Sequence, residues 1–458
     1  MTRARSTTEG SIISPSPVGK DITAERTDAL RSALRDAMSR HRSVGATSAW
    51  WDGTDLVIAA EGVLEHDKPA PVSATTMYAV GSVTKLITAF MILQLVDEGM
   101  LTLDDLVIEH IPEFLYRDSD IAGRVTIRHL LTHSGGTPDG WFPADSTSDV
   151  LATLAESPAL CEPGWVASYS NSGYALLGEI LTRRTGRKFA QNLAQRLLVP
   201  LGLEHTLILP PDLRALRGAP DHRADPNSGE IRREDMWLRV GDGMEAAGST
   251  LYASAPDLAL IAVAMSTGVN PRDPGGARML SEELTADATR RHAEVPGIGL
   301  ITSAFGLGWL HPRQPDDRRV VSHGGGTSIV VFVDLDSGDV VVTATNFDQG
   351  EQVGGDVARA LIGAPSASPS PTAPASPVEH LVRLTGRWGV GPLANTIRLD
   401  GDHLVMEVMG ETAQLVEVDP TSFLLTVSGL HLDLALMHGD ARAADWIHFA
   451  GRALARQT

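Results

Sequence analysis

Residues 81–99 read GSVTKLITAFMILQLVDEG. Apolar side chains fall on nearly every side of a helix drawn over 83–98: Val83, Leu86, Ile87, Phe90, Met91, Leu93, Leu95 and Val96. A helix of that kind is buried over most of its circumference, which predicts a central helix with other elements packed around it. Gly99 is placed to end it. The helix opens on Ser82-Val83-Thr84-Lys85. Residues three apart share a helix face, so Lys85 can reach the Ser82 hydroxyl. A helix start also brings free backbone N–H groups and the positive end of the helix dipole to that hydroxyl.

Chance supplies a serine and a lysine at this spacing in many chains, so the pair needs support. Composition gives the first. The chain holds 38 basic residues, of which only Lys20, Lys68, Lys85 and Lys188 are lysines. Arginine stays protonated in proteins, whereas a buried lysine can lose its proton and act as a base. Lys85 stands where arginine would not serve. Tyr169-Ser170-Asn171 is the second support, in a loop after Pro163-Gly164 and just before a helical pattern at 172–186. A tyrosine beside a cationic lysine is expected to have a lowered pKa and to relay a proton. The Asn171 amide can hold a substrate carbonyl and the lysine head together, and Ser170 reads as a spacer. Third, His323-Gly324-Gly325-Gly326 leads into a strand pattern. Glycines at a strand edge admit a ligand backbone, and a free N–H there, with that of Ser82, would form an oxyanion hole for acyl transfer.

Composition narrows the function classes. The formal net charge is −19, which disfavours nucleic-acid binding and gives no support for an anionic membrane surface. No apolar run is long enough to span a bilayer, and the N-terminal MTRARSTTEG lacks the apolar stretch of a secretory signal, so a cytoplasmic location is expected. The single Cys161 cannot form an internal disulfide and reads as structural. No Cys/His cluster has metal-ligand spacing, and no metal or cofactor is expected.

Along the chain, residues 1–20 read as a flexible tail, and Leu30, Leu34 and Met38 mark a first helix within 21–40. Residues 43–63 read as a β-hairpin around Asp52-Gly53, 253–266 as a helix capped by Ser254, and 328–346 as two β-branched runs around Asp336-Ser337-Gly338-Asp339. A closing helix is expected at 351–362. Residues 364–377 contain only Ala, Pro, Ser and Thr, a composition that favours an extended linker. The remainder, 378–458, is a series of short strand patterns separated by Gly and Asp turns, read as a small antiparallel β-barrel or sandwich.

The three chemical elements, in this order, resemble the penicillin-binding-protein and serine β-lactamase family, over about residues 25–363. Segments 125–136 (VTIRHLLTHSGG) and 248–258 (GSTLYASAPDL) resemble family signatures as well, the first as scaffold. The resemblance implies an α/β fold: an antiparallel sheet flanked by helices plus an all-helical subdomain, with the site between them. It implies that Ser82 is acylated, Lys85 is the base and Tyr169 shares proton transfer. Asn171, His323 and Gly325 would bind substrate, His323 in the place of the third-motif cation, and the N–H groups of Ser82 and Gly326 would be the oxyanion donors. The third motif is H-G-G where β-lactamases usually carry K-T-G, a form similar to the esterase, D-aminopeptidase and thioesterase members. The segment Leu384-Thr385-Gly386-Arg387-Trp388 looks like the start of a lipocalin-like appendage. Together these favour a stand-alone penicillin-binding-protein-type thioesterase that releases and cyclises a nonribosomal peptide. Its substrate would be a small-molecule or peptide acyl group, including a carrier-protein-bound peptidyl thioester. A cytoplasmic esterase or D-aminopeptidase is the alternative; a β-lactamase and a non-catalytic binding protein rank lower.

Overall fold

The structure, a computed structural model, describes residues 17–457 apart from short internal stretches, the longest being 210–217, 235–240, 365–380 and 438–445. Helix α1 spans Pro17–His41. It starts four residues earlier than the sequence suggests, with proline in its first turn, where the missing N–H costs nothing. Residues 17–20 of the expected tail are therefore helical, and 1–16 lie outside the described residues.

The central sheet is built from the hairpin β1 (Gly45–Trp51) and β2 (Leu56–Gly62), the short strands β3 (Ala293–Glu294), β4 (Ala304–Phe305) and β5 (Leu310–His311), and β6 (Val320–Gly325), β7 (Ile329–Asp334) and β8 (Val340–Thr345). Their order is β2-β1-β8-β7-β6-β5-β4-β3. Every neighbouring pair is antiparallel. The central strands are apolar on both faces because both faces are covered. Val341 points to one side, where Leu30 and Leu34 of α1 meet Val353 and Val357 of the closing helix α5 (Gly350–Ile362). Val340 and Val342 point to the other, onto the main core.

That main core surrounds helix α2 (Thr84–Asp97), which follows a single 3-10 turn at Gly81–Val83. Leu86, Ile87, Phe90, Met91, Leu93 and Leu95 are all at most 2% exposed. Helices α3 (Asn171–Thr185) and α4 (Ala255–Thr267) are among its partners. Among the described residues no strand lies between Ala79 and Thr206, so this part is the all-helical subdomain.

Ala364 packs into the α1–α5 core, and the rest of the 364–377 segment lies outside the described residues. The C-terminal part forms a second eight-stranded antiparallel sheet: β9 (Gly386–Trp388), β10 (Asn395–Asp400), β11 (His403–Val408), β12 (Glu411–Asp419), β13 (Ser422–Val427), β14 (Leu430–Leu436), β15 (Trp446–Phe449) and β16 (Arg452–Ala455). Its strands pair in sequence order. A bridge between Trp388 and Arg456 and the bond from Gly389 N–H to Ala455 O (2.8 Å) bring first and last strands together, nearly closing a barrel. Trp388, Met406, Phe423, Leu434 and Ile447 fill it. Closure removes the open edges that would otherwise invite pairing with another chain.

Because α2 has no solvent face over most of its length, its largest side chain is also its most costly to remove. Phe90→Ala is expected to destabilise the catalytic part by about 3–5 kcal/mol, read as a lowered urea midpoint.

Candidate active site

The 3-10 turn puts Ser82 at the mouth of α2, half-buried, and sends Lys85 inward, where none of it is exposed. The Lys85 Nζ has three neighbours: Asn171 Oδ1 at 2.7 Å, the Ala247 carbonyl at 2.7 Å and Ser82 Oγ at 3.2 Å. The first two can only accept. A neutral amine donates to both and keeps its lone pair for the third direction, where the Ser82 hydroxyl stands ready to donate. Burial acts the same way and pushes the Lys85 pKa well below its ordinary value. The Asp139 carboxylate opposes this, and Arg452 adds to it.

The Ala247 carbonyl reaches the lysine because Gly248 follows it. Gly248 has φ +121°, and a Cβ there would lie 2.1 Å from the Gly81 carbonyl oxygen. The same closeness joins Gly81 to β6. A Cβ on Gly81 would lie 2.8 Å from the Gly325 carbonyl carbon and 3.1 Å from the Gly326 nitrogen, and one on Gly325 would lie 2.1 Å from the Val80 oxygen. These glycines let the end of β6 lie against the backbone of the serine turn, with the Gly326 nitrogen next to Gly81, the residue before Ser82. Gly325 itself is buried in that backbone contact.

Tyr169 hydrogen-bonds Ser82 through its side chain, and Lys85 Nζ lies 4.8 Å from its ring centroid. The expectation that the lysine would lower the tyrosine pKa is not met. Burial raises it instead, outweighing the Ser82 hydrogen bond and Arg452. The reason is that the lysine is itself driven neutral, so Tyr169 rests as a phenol. His323 also departs from expectation. It is 1% exposed, and burial pushes it down to about 3. It occupies the third-motif position as a neutral ring, not as a cation. Its Nδ1 bonds the Gly324 carbonyl at 2.8 Å, so Nδ1 carries the proton.

Ser170 is more than a spacer. Its hydroxyl accepts from the Gly173 N–H (3.1 Å) and caps α3. The tyrosine loop is further held by His133, a non-glycine residue at φ +55°. The His133 ring stacks on Tyr169 with centroids 4.4 Å apart, its Nδ1 accepts the Ser170 N–H (3.0 Å), and its carbonyl accepts the Ser168 N–H (2.7 Å). Burial keeps it uncharged. His133 belongs to the scaffold segment 125–136, which thereby buttresses the tyrosine. Cys161 stays inert, its thiol pushed up to about 12 by burial.

Residues 30–364 match the Beta-lactamase family. The chain belongs to that family. Penicillin-binding protein 4 of Amycolatopsis lactamdurans is 31% identical over 389 residues, covering 82% of this chain and 97% of the relative. Two solved structures share the fold. SurE superposes with a TM-score of 0.76 at 24% identity, covering 95% of this chain and 99% of SurE, so the likeness extends into the barrel. A D-amino acid amidase from Ochrobactrum anthropi superposes at 0.61 and 22% identity, covering 73% of this chain and 98% of the amidase. The protein is thus a serine hydrolase of the beta-lactamase family. Among the described residues no helix is long and apolar enough to cross a membrane.

Two participants carry no local sequence signal. Asp139 Oδ1 accepts both the Asn171 N–H (2.8 Å) and its Nδ2 (3.1 Å), which fixes the amide so that its oxygen faces Lys85. Asp139 Oδ2 in turn accepts from Arg452 Nε at 2.6 Å, on the turn into the last barrel strand. The Arg452 guanidinium also stacks 4.9 Å from the Tyr169 centroid. Around it the barrel grips the tyrosine loop. Gly451 O accepts the Tyr169 N–H (2.9 Å), the Ala453 N–H donates to Ser168 Oγ (3.2 Å), His448 Nε2 bonds the Ala167 carbonyl (3.1 Å), and Trp446 meets Trp165 edge to face.

Asp139→Ala should leave Asn171 free to rotate and Arg452 unpaired. Removing one partner of a buried ion pair costs roughly 3–5 kcal/mol. Acylation of Ser82 is expected to fall by about two orders of magnitude, followed by intact-mass time courses with a small serine acylator.

Proposed function

We propose that this protein is a penicillin-binding-protein-type thioesterase. It takes a peptidyl group from a thioester, such as one borne by a carrier protein, onto Ser82, and releases it by attack of the peptide's own amine, as a macrocycle. The observation that carries the acyl-transfer chemistry is the bonding of Lys85: two acceptors take its N–H groups, and its lone pair is left to the Ser82 hydroxyl. The reading of substrate class rests on the H-G-G motif and on the SurE-like pairing of catalytic part and barrel. A second SurE structure, holding D-Leu, and the D-amino acid amidase favour a D-residue at the acyl end.

The steps follow from the geometry. Ser82 Oγ passes its proton to neutral Lys85 while attacking the thioester carbonyl, and the N–H groups of Ser82 and Gly326 hold the oxyanion. As the intermediate collapses, the C–S bond breaks and the lysine proton returns, through the Tyr169 hydroxyl, to the departing sulfur. An amine then attacks the Ser82 ester, loses its proton along the same path to Lys85, and forms an amide as Ser82 Oγ leaves with that proton. Asn171 holds the lysine and the acyl chain, and Gly325 keeps the strand edge against the serine turn. Arginine in place of lysine could not accept the proton. A neutral His323 supplies no fixed cation for a β-lactam carboxylate, which favours this reading over a β-lactamase. The proposed setting is the cytoplasm, without nucleic acid or membrane as partner.

Incubation with linear peptidyl thioester mimics is expected to give a cyclic product whose mass is that of the thioester less the thiol it releases. Hydrolysed peptide alone, with turnover of simple esters, would replace this reading by an esterase. Lys85→Arg should abolish acylation although the charge is kept. The pH profile carries a sign. The lysine pKa is depressed, so its base form is reached at a lower pH than an ordinary lysine's. The acylation rate should reach its plateau below the ordinary lysine range and fall as acid protonates Lys85. A rate still rising towards the ordinary lysine range near pH 10 would contradict a neutral resting amine.

A further inference from the structure

The mechanism leaves one charged group of the site unused. Glu351, in the first turn of α5, folds its side chain over the third motif: a Cβ on Gly324 would lie 2.2 Å from Glu351 Oε1. A side chain at position 324 would displace the carboxylate, so the glycine makes its seat. Glu351 has no hydrogen-bond or ion-pair partner among the described residues. Its side chain is open to solvent, yet protein surrounds it closely enough to push its pKa up to about 7. The carboxylate is thus packed closely by the fold on one side and reached by solvent on the other. Exposure to solvent supports the ionised form, so the upward push is smaller than full burial would give.

The other polar groups of the site do not neutralise it. Lys85 is held neutral, His323 is a neutral ring, and Arg452 is committed to Asp139. Glu351 acts electrostatically on Tyr169, which places it within reach of the reacting centre. Gly324 is two residues before Gly326 on a strand that rises about 3.3 Å per residue, so the carboxylate stands roughly 7 Å along the edge from the oxyanion N–H. A first-turn acid can serve merely to complement the helix dipole. That role needs only proximity to the helix end and does not explain a side chain laid across β6.

We propose that Glu351 forms an anionic subsite, seated on Gly324, that binds the cationic amino group of a peptide substrate about one to two residues from its acyl carbon. The carboxylate supplies the charge, and its two oxygens accept N–H bonds from the ammonium. The subsite deepens the peptidyl-transfer reading and rests on it for the substrate being a peptide. It favours chains with a free amine and disfavours those presenting a carboxylate there.

The test compares two otherwise identical D-residue peptidyl substrates, one with a free amine at that distance and one N-acetylated, each as thioester and as oxygen ester. The readout is the ratio of their kcat/KM values for release of the leaving group. In the wild type the free-amine substrate is expected to be favoured about tenfold at low ionic strength, with the preference shrinking as salt is added. In Glu351→Gln the ratio should collapse to near one, while Glu351→Asp keeps part of it; unfolding midpoints confirm that both variants are folded. An unchanged ratio in Glu351→Gln, or no preference in the wild type, overturns the subsite. A preference seen with esters but no turnover of thioesters would overturn the thioesterase reading and leave the subsite standing.

Discussion

Everything in the site depends on keeping one lysine dry. Lys85 is wholly buried, and its amine has room for two donated bonds and one accepted one. Desolvation of an ammonium is expensive, and the protein escapes that cost by removing the proton rather than by supplying a counter-charge in contact. The carboxylate whose charge Lys85 feels, Asp139, is held behind the Asn171 amide. Direct contact between them would restore the ammonium and abolish the base. The asparagine is therefore an insulator as much as a ligand: it transmits orientation but not charge.

The barrel has a part in the same arrangement. The tyrosine loop is gripped from two sides, by the His133 ring and carbonyl on one and by Gly451, Arg452 and Ala453 on the other. Together they hold the loop that puts the phenol beside Ser82. The barrel thus completes the scaffold of the reacting groups, although it carries none of them. This is consistent with the SurE likeness running through both parts of the chain.

Much of this was legible in the sequence because its signals were local. The apolar wrap of 83–98, the Asp52-Gly53 hairpin, the Ser254 cap and the β-branched runs each report a neighbourhood of a few residues, and the fold follows from them. Ser82, Lys85, Tyr169, Asn171 and His323 sit in short motifs and converge. What could not be read is what tertiary contact creates. Asp139, Arg452 and Glu351 lie in unremarkable stretches, and only folding brings them to the site. Protonation states were missed for the same reason. Depth of burial decides that Tyr169 is a phenol and His323 uncharged, and no window of sequence measures depth. The helix start at Pro17 instead of residue 21 is a smaller case, because a proline in a polar stretch reads equally well as coil.

The hold of Gly451 and Arg452 on the tyrosine loop also sets an order of events in synthesis. Serine and lysine emerge from the ribosome early and can pack together as soon as the helices around α2 have formed. The loop that carries Tyr169 waits for the turn at 450–452, which is made only after almost all of the barrel. Until that strand docks, the chain holds a nucleophile and base without a fixed phenol. The site is therefore completed only late in translation, well after its serine and lysine have been made.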